Sequence, residues 1–219
     1  MVGLQVKNKW MKVMQMLFCA TFFILHSSFF ISCSKEETEP GEFDNWQARN
    51  EAYFASLSDS QRVAPAQWKR IAKFSLAPDV EGKATDYIFA KVISSGDGVE
   101  SPNYTDSVRV IYEGRLIPSA TFPEGYVFDT TVGGNFSITT ASTAKMLVSA
   151  TVDGYATALQ HMHRGDHWRI FVPSDLGYGE SGTSNGSVPA YSTIIFDVML
   201  VDFSPAGTAM PQWSSRMRR

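Results

Sequence analysis

Asp153-Gly154-Tyr155-Ala156-Thr157-Ala158-Leu159-Gln160-His161-Met162-His163 and, just beyond it, His167-Trp168-Arg169-Ile170-Phe171-Val172-Pro173 decide the fold. In the first stretch Ala156, Leu159 and Met162 recur at helical spacing, which predicts a single helix over Asp153–His163. In the second, Trp168, Ile170 and Val172 alternate with polar or outward residues, which predicts a strand. No other helical pattern lies between Tyr87 and Phe203. Around this helix the period is two. Tyr87–Ser94 reads as a strand ending at Ser95-Gly96-Asp97-Gly98. Val108, Val110 and Tyr112 alternate with Arg109, Ile111 and Glu113. Tyr126–Asp129 and Phe136–Thr139 are short strands flanking the Gly133-Gly134 turn. Thr193–Phe203 is the longest strand, with Ile194, Phe196, Val198 and Leu200 on one face. One helix among antiparallel strands implies an α+β domain, a twisted antiparallel sheet wrapped around the helix.

Upstream, Asp44 is placed to cap a helix in which Trp46, Tyr53, Phe54 and Leu57 share a face, ending at Ser58-Asp59-Ser60. A second short helix is expected over Ala66–Phe74, carrying Trp68, Ile71 and Ala72. Neither has chemical groups at catalytic spacing, so the aromatic stripe is expected to pack against a neighbouring domain. The chain starts differently. Lys7, Lys9 and Lys12 precede the apolar run Met16–Leu25, too short to span a bilayer, and the pattern predicts a secretory signal. A signal beginning at Met11 is also complete.

The 219 residues are 44% apolar and 19% charged, the range of a globular protein. The net charge of −3 gives no positive field for nucleic acid. Removing residues 1–32 takes three of the 19 basic residues and none of the 22 acids, leaving −6. Cys19 and Cys33 are the two cysteines, so nothing downstream is disulfide-stapled or cysteine-ligated. His161 and His163 are two apart and do not share a helical face, and His163 and His167 straddle Gly165. These are expected to be surface histidines, with no metal site. No serine sits in a nucleophile elbow. The Gly177–Gly186 run has no lysine at phosphate-loop spacing and reads as a flexible flap.

Several segments, taken in order, resemble the FKBP-type peptidyl-prolyl isomerases, the immunophilins that bind macrolide immunosuppressants. They are Val110-Ile111-Tyr112-Glu113-Gly114-Arg115-Leu116, Phe128-Asp129, Phe136, and Gly154-Tyr155 with Ala158-Leu159 and Met162. Gly165-Asp166, Ile170-Phe171-Val172-Pro173, Leu176-Gly177-Tyr178-Gly179, Val188-Pro189 and Ile195-Phe196-Asp197-Val198 complete the series. The chain departs from the family at Tyr155, where tryptophan is common, and in long segments between Tyr112 and Phe128 and between Phe136 and Gly154.

The resemblance implies rotation about X–Pro bonds without metal or cofactor. It implies Tyr112, Asp129 and Phe196 as catalytic residues. Phe128, Phe136, Val152, Tyr155, Tyr178 and Val188 are implied to contact substrate, with Tyr155 as the pocket floor. The partners expected are proline-containing unfolded or exported polypeptides, and a macrolide immunosuppressant is a candidate ligand. A non-catalytic proline-peptide-binding chaperone or assembly factor is the alternative.

Phe30-Ile31-Ser32-Cys33 likewise resembles a bacterial lipobox, which implies lipidation of Cys33 and membrane anchoring through that lipid. The polar, acidic Ser34–Pro40 stretch is then a tether, and the expected location is the bacterial cell envelope at the outer membrane. The resulting division is a signal peptide over 1–32, a lipidated tether over 33–43, and an N-terminal helical extension with a leading strand over 44–103. The isomerase domain follows over 104–203 and a C-terminal tail over 204–219.

Overall fold

The computed structural model describes residues 41–134, 136–137 and 140–211. The expected signal peptide, Cys33, most of the expected tether and residues 212–219 of the expected tail lie outside the described residues, as do Ile138 and Thr139 of an expected strand. From residue 42 onward the chain forms one compact unit. Its elements are α1 (Trp46–Val63), β1 (Trp68–Ala72), β2 (Tyr87–Ser94), β3 (Ser107–Arg115) and β4 (Val127–Thr130). They continue with β5 (Ala144–Leu147), α2 (Asp153–Leu159), β6 (His167–Val172) and β7 (Ile194–Ser204).

All seven strands join one antiparallel sheet in the order β1-β2-β6-β7-β3-β4, and β5 pairs with the other end of β3. Alternation along the strands sorts side chains onto two faces. Ile88, Val108, Val110, Ile170, Val172, Ile194, Val198 and Leu200 enclose α2 in the main core. Phe89, Phe171 and Ile195 point the other way and receive Phe54 and Leu57 of α1. α2 lies so close to the sheet that a Cβ on Gly154 would meet Val172 Cγ1 at 2.3 Å. Only glycine fits there, and this approach fixes the depth of Tyr155, its neighbour.

Several expectations need correction. Residues 68–72 form a strand, not a helix. Their i, i+3 apolar spacing mimics a helix, but pairing to β2 in the register Trp68↔Lys91 and Ile71↔Ile88 prevails. The alternation then serves both faces: Ile71 enters the main core, and Trp68 stacks on Phe171 at 5.4 Å. α1 runs beyond Ser58-Asp59-Ser60 to Val63 and is preceded by Asn45 in a left-handed conformation, φ 51°. Its aromatic stripe packs on this same sheet, not on a neighbouring domain. Phe136 and Ser137 make no strand. β5 is a strand that the sequence pattern did not suggest. The helix over Asp153–His163 is α-helical only to Leu159. It then tightens, with the N–H of His161 donating to the Ala158 carbonyl and that of Met162 to Leu159.

Candidate active site

Three neighbouring strands bring the first site residues together. Tyr112 lies opposite Val198, and Gly114 lies opposite Phe196 on one side and Asp129 on the other. The Tyr112 N–H donates to Thr131 Oγ1 at 3.0 Å, and the Thr131 N–H returns to the Tyr112 carbonyl at 2.9 Å. This local lock sets Asp129 beside Tyr112, whose hydroxyl donates to Asp129 Oδ2 at 2.6 Å. α2 supplies Tyr155 from below, and the loop after β6 supplies Tyr178 from the side.

The result is a cavity of about 230 Å³ lined by Tyr112, Asp129, Met146, Ala150, Thr151, Val152, Tyr155, Tyr178 and Phe196. Its aromatic rings meet edge to face, the preferred arrangement for ring quadrupoles. Tyr155 and Phe196 have centroids 4.8 Å apart at 76°, Tyr112 and Phe196 6.4 Å at 65°, and Tyr112 and Tyr155 6.4 Å at 75°. A larger cavity of about 400 Å³, lined by Lys73, Phe74, Tyr104 and Thr157 among others, contains none of the expected site residues.

The expected set divides. Tyr112, Asp129, Val152, Tyr155, Tyr178 and Phe196 share the cavity. Phe128 stands behind it, edge-on to Phe196 at 5.8 Å and Tyr178 at 6.5 Å, and so buttresses two walls. Val188 is fully buried in the main core and is absent from the cavity lining. Phe136 lies on the other face of the sheet, packed with Ile111, Val132, Ala141 and Val201 and stacked on His167 at 4.3 Å. It is not a wall of this cavity. Met146, Ala150 and Thr151 line the cavity but were not anticipated. The signal for Met146 was the period-two pair Ala144/Met146, which is too short to stand out among small and polar neighbours.

Electrostatics keep the tyrosines neutral. Burial, reinforced by the bond to Asp129, raises the Tyr112 pKa well above its ordinary value. Burial raises Tyr155, with Tyr112 and Asp129 adding to it, and burial then Asp129 raises Tyr178. With its proton committed to Asp129, Tyr112 is no free donor. The Tyr178 hydroxyl has no hydrogen bond among the described residues and is available to a ligand. The Tyr155 hydroxyl is enclosed and has no partner among the described residues.

The histidines are not near this chemistry. His161 Nδ1 lies 2.8 Å from the Thr157 carbonyl, and His163 is partly exposed beside Asp166. His167 is half-buried under Phe136, not a surface residue, and burial lowers its pKa. Among the described residues no cluster of histidine, cysteine and carboxylate groups is arranged to hold a metal ion. The arrangement can therefore enclose a small apolar ring, offer it one hydrogen-bond donor, and place one carboxylate at the edge.

Comparison with known proteins bears on the domain that carries this cavity. Residues 98–201 match the family described as FKBP-type peptidyl-prolyl cis-trans isomerase. The FKBP-type 22 kDa peptidyl-prolyl cis-trans isomerase of Escherichia coli is 36% identical over 112 residues, 51% of this chain and 48% of that protein. The outer membrane protein MIP of Legionella longbeachae is 34% identical over 116 residues, 53% of this chain and 44% of that protein. A crystal structure of a peptidyl-prolyl cis-trans isomerase from Pseudomonas syringae shares the fold. Its TM-score is 0.52 at 22% identity, with 75% of this chain and 97% of that one covered. The chain spans about half the length of these curated relatives. Over residues 98–201, then, the chain carries a domain of the FKBP-type peptidyl-prolyl cis-trans isomerase family.

Proposed function

We propose that the protein is a peptidyl-prolyl cis-trans isomerase acting on exported or unfolded polypeptides. The observation that carries this reading is the Tyr112–Asp129 pair at 2.6 Å on the rim of an aromatic cavity floored by Tyr155. An X–Pro bond rotates slowly because twisting it destroys amide resonance, a barrier of ~18–20 kcal/mol. No acid, base or nucleophile is needed to lower it. The planar amide is more dipolar than the twisted one, so an apolar enclosure penalises the ground state more than the transition state. Phe196 and Tyr155 provide that enclosure, with Val152 at the side and Phe128 behind. Tyr178 donates to a substrate carbonyl and holds the peptide in a turn. Asp129 orients Tyr112 and faces the carbonyl carbon, which grows more positive as resonance is lost.

Phe136 and Val188 have no part in this reading, and Met146 takes the wall position. A macrolide immunosuppressant would occupy the same cavity. The proposed chain organisation keeps a signal peptide over 1–32 and a lipidated tether over 33–43. It extends the folded unit upstream to α1. Lipid on Cys33 anchors the protein at the bacterial cell envelope, in keeping with the lipobox-like Phe30–Cys33 sequence and the acidic tether. Cys33→Ser should then release it from membranes or leave an unprocessed precursor, and absence of labelled fatty acid from the wild-type chain would refute the anchor.

A protease-free proline-peptide assay tests the function. Asp129→Asn keeps size and an acceptor for Tyr112 but removes the charge, and Tyr178→Phe removes the free donor. Each should lower kcat/KM by about tenfold, roughly 1.4 kcal/mol of transition-state stabilisation. Wild-type rates in both variants would remove those groups from the mechanism.

A further inference from the structure

We propose that α1 is part of the isomerase machinery: Trp46 and Asn50 position the flap that presents Tyr178 to substrate. The proposal rests on the isomerase reading and assigns a role to a helix outside the family match, which begins at residue 98.

The flap runs from Gly177 to Thr193. Gly179, Gly182 and Gly186 all have left-handed φ, 64°, 67° and 73°, so its outgoing half turns at residues that carry no side chain, and Val188 on the returning half is buried in the main core. Its returning limb therefore sets where it lies. That limb is tied directly to Gly179, the residue after Tyr178, and the outgoing limb holds Tyr178 in a turn of its own. The Tyr191 N–H donates to the Gly179 carbonyl at 2.9 Å, and the Gly182 N–H to the Tyr178 carbonyl at 3.1 Å. Tyr191 itself is held at φ 59°, a conformation uncommon for a non-glycine residue that needs support on both sides.

α1 supplies that support. The Trp46 indole N–H donates to Ser192 Oγ at 2.9 Å, and the Ser192 hydroxyl donates in turn to the Pro189 carbonyl at 2.7 Å. Asn50 Oδ1 accepts the Thr193 N–H at 2.7 Å, while its Nδ2 donates to the Trp46 carbonyl at 2.7 Å. Thr193 Oγ1 closes the set by donating to the Asn50 carbonyl. Trp46, Asn50, Ser192 and Thr193 are all buried, so water does not replace a lost partner cheaply. A helix needed only to cover Phe89 and Phe171 requires apolar residues alone. This one also places an indole N–H and a carboxamide on consecutive residues of the flap's anchor.

The test uses the full-length chain with Trp46→Phe, which keeps the ring and removes the donor, and Ser192→Ala, which removes the same bond from the flap side. Amide hydrogen exchange over residues 177–193 is read together with kcat and KM for a proline peptide. Gln47→Ala, on the exposed side of α1, is the control. Both variants should speed flap exchange by about tenfold. They should raise KM by about three- to tenfold with kcat within about twofold, and the double variant should add little. Lower global stability with unchanged flap exchange and unchanged KM would reduce α1 to a cover for the sheet and overturn the proposal. A wild-type chain without isomerase activity would defeat the isomerase reading instead. The exchange measurement would still decide whether Trp46 holds the flap.

Discussion

Tyr155 sits where a large aromatic floor is expected, yet its hydroxyl is buried without a partner among the described residues. A buried unsatisfied hydroxyl costs roughly 1–3 kcal/mol. Tyr155→Phe should therefore raise stability by about 1 kcal/mol, seen as a higher denaturant midpoint, with kcat/KM changed by less than about twofold. Tyr155→Ala should lose about 3–5 kcal/mol of stability and at least about tenfold in kcat/KM. A destabilised Tyr155→Phe would mean the hydroxyl is satisfied in solution and that the ring alone does not define the floor. Tyr112, Asp129, Tyr155, Tyr178 and Phe196 were legible from sequence through the family resemblance, because each lies in one of the ordered motifs that carry it. Phe136 was not, because the long segment around it carries no register signal. An isolated aromatic there reads equally as a wall or as cover for the sheet's other face. Met146 was hidden by the converse: its strand is four residues long and unremarkable in composition.

At the scale of the element, β3 holds the site together, since it pairs with β7 along its length and with β4 and β5 on its other edge. Gly114 is the point of closest approach. A Cβ there would meet Phe128 Cζ and Phe196 Cε1, each at 2.7 Å. Gly114→Ala should push both rings from their edge-to-face positions, costing about 1–3 kcal/mol of stability. It should also lower kcat/KM more than a surface substitution of equal stability cost. Denaturant unfolding with peptide kinetics on the same samples checks both, and unchanged kinetics would mean Phe196 does not wall the substrate site. The element most misread was β1. Its Trp68/Ile71 spacing is ambiguous over so few residues, and only the partner strand β2, distant from any local signal, decides the outcome. The strands β2, β3, β6 and β7 were legible because each is long enough for period two to show.

At the largest scale, the described residues of the folded unit form a sheet covered on one face by α2 and on the other by α1 and by Val132, Phe136 and Ala141. The order of the family motifs along the chain disclosed the first face. The second depended on contacts across more than a hundred residues, such as Asn50 to Thr193, which no local pattern encodes. His167 gives that second face a pH dependence. Burial lowers its pKa below the ordinary value, with Arg169 adding to this and Asp197 opposing it. A group with a lowered folded-state pKa that favours the neutral ring contributes stability above its unfolded pKa, about 6.5. That contribution is lost as pH falls through the folded value. His167→Phe should thus lose less Tm than wild type between pH 7 and pH 5, whereas an equal loss in both would place the acid sensitivity elsewhere.

The central claim is that the cavity bounded by Tyr112, Asp129, Tyr155, Tyr178 and Phe196 turns X–Pro bonds rather than merely holding them. Magnetisation-exchange NMR on a proline peptide, with a sub-stoichiometric amount of the full-length chain, reads cis–trans interconversion directly and binding at the same time. Wild type should bring the interconversion from its uncatalysed tens-of-seconds regime into the exchange window, and Tyr155→Ala should largely abolish this. Saturable binding of the peptide without any acceleration of its interconversion would contradict the account and make the cavity a proline-binding site alone.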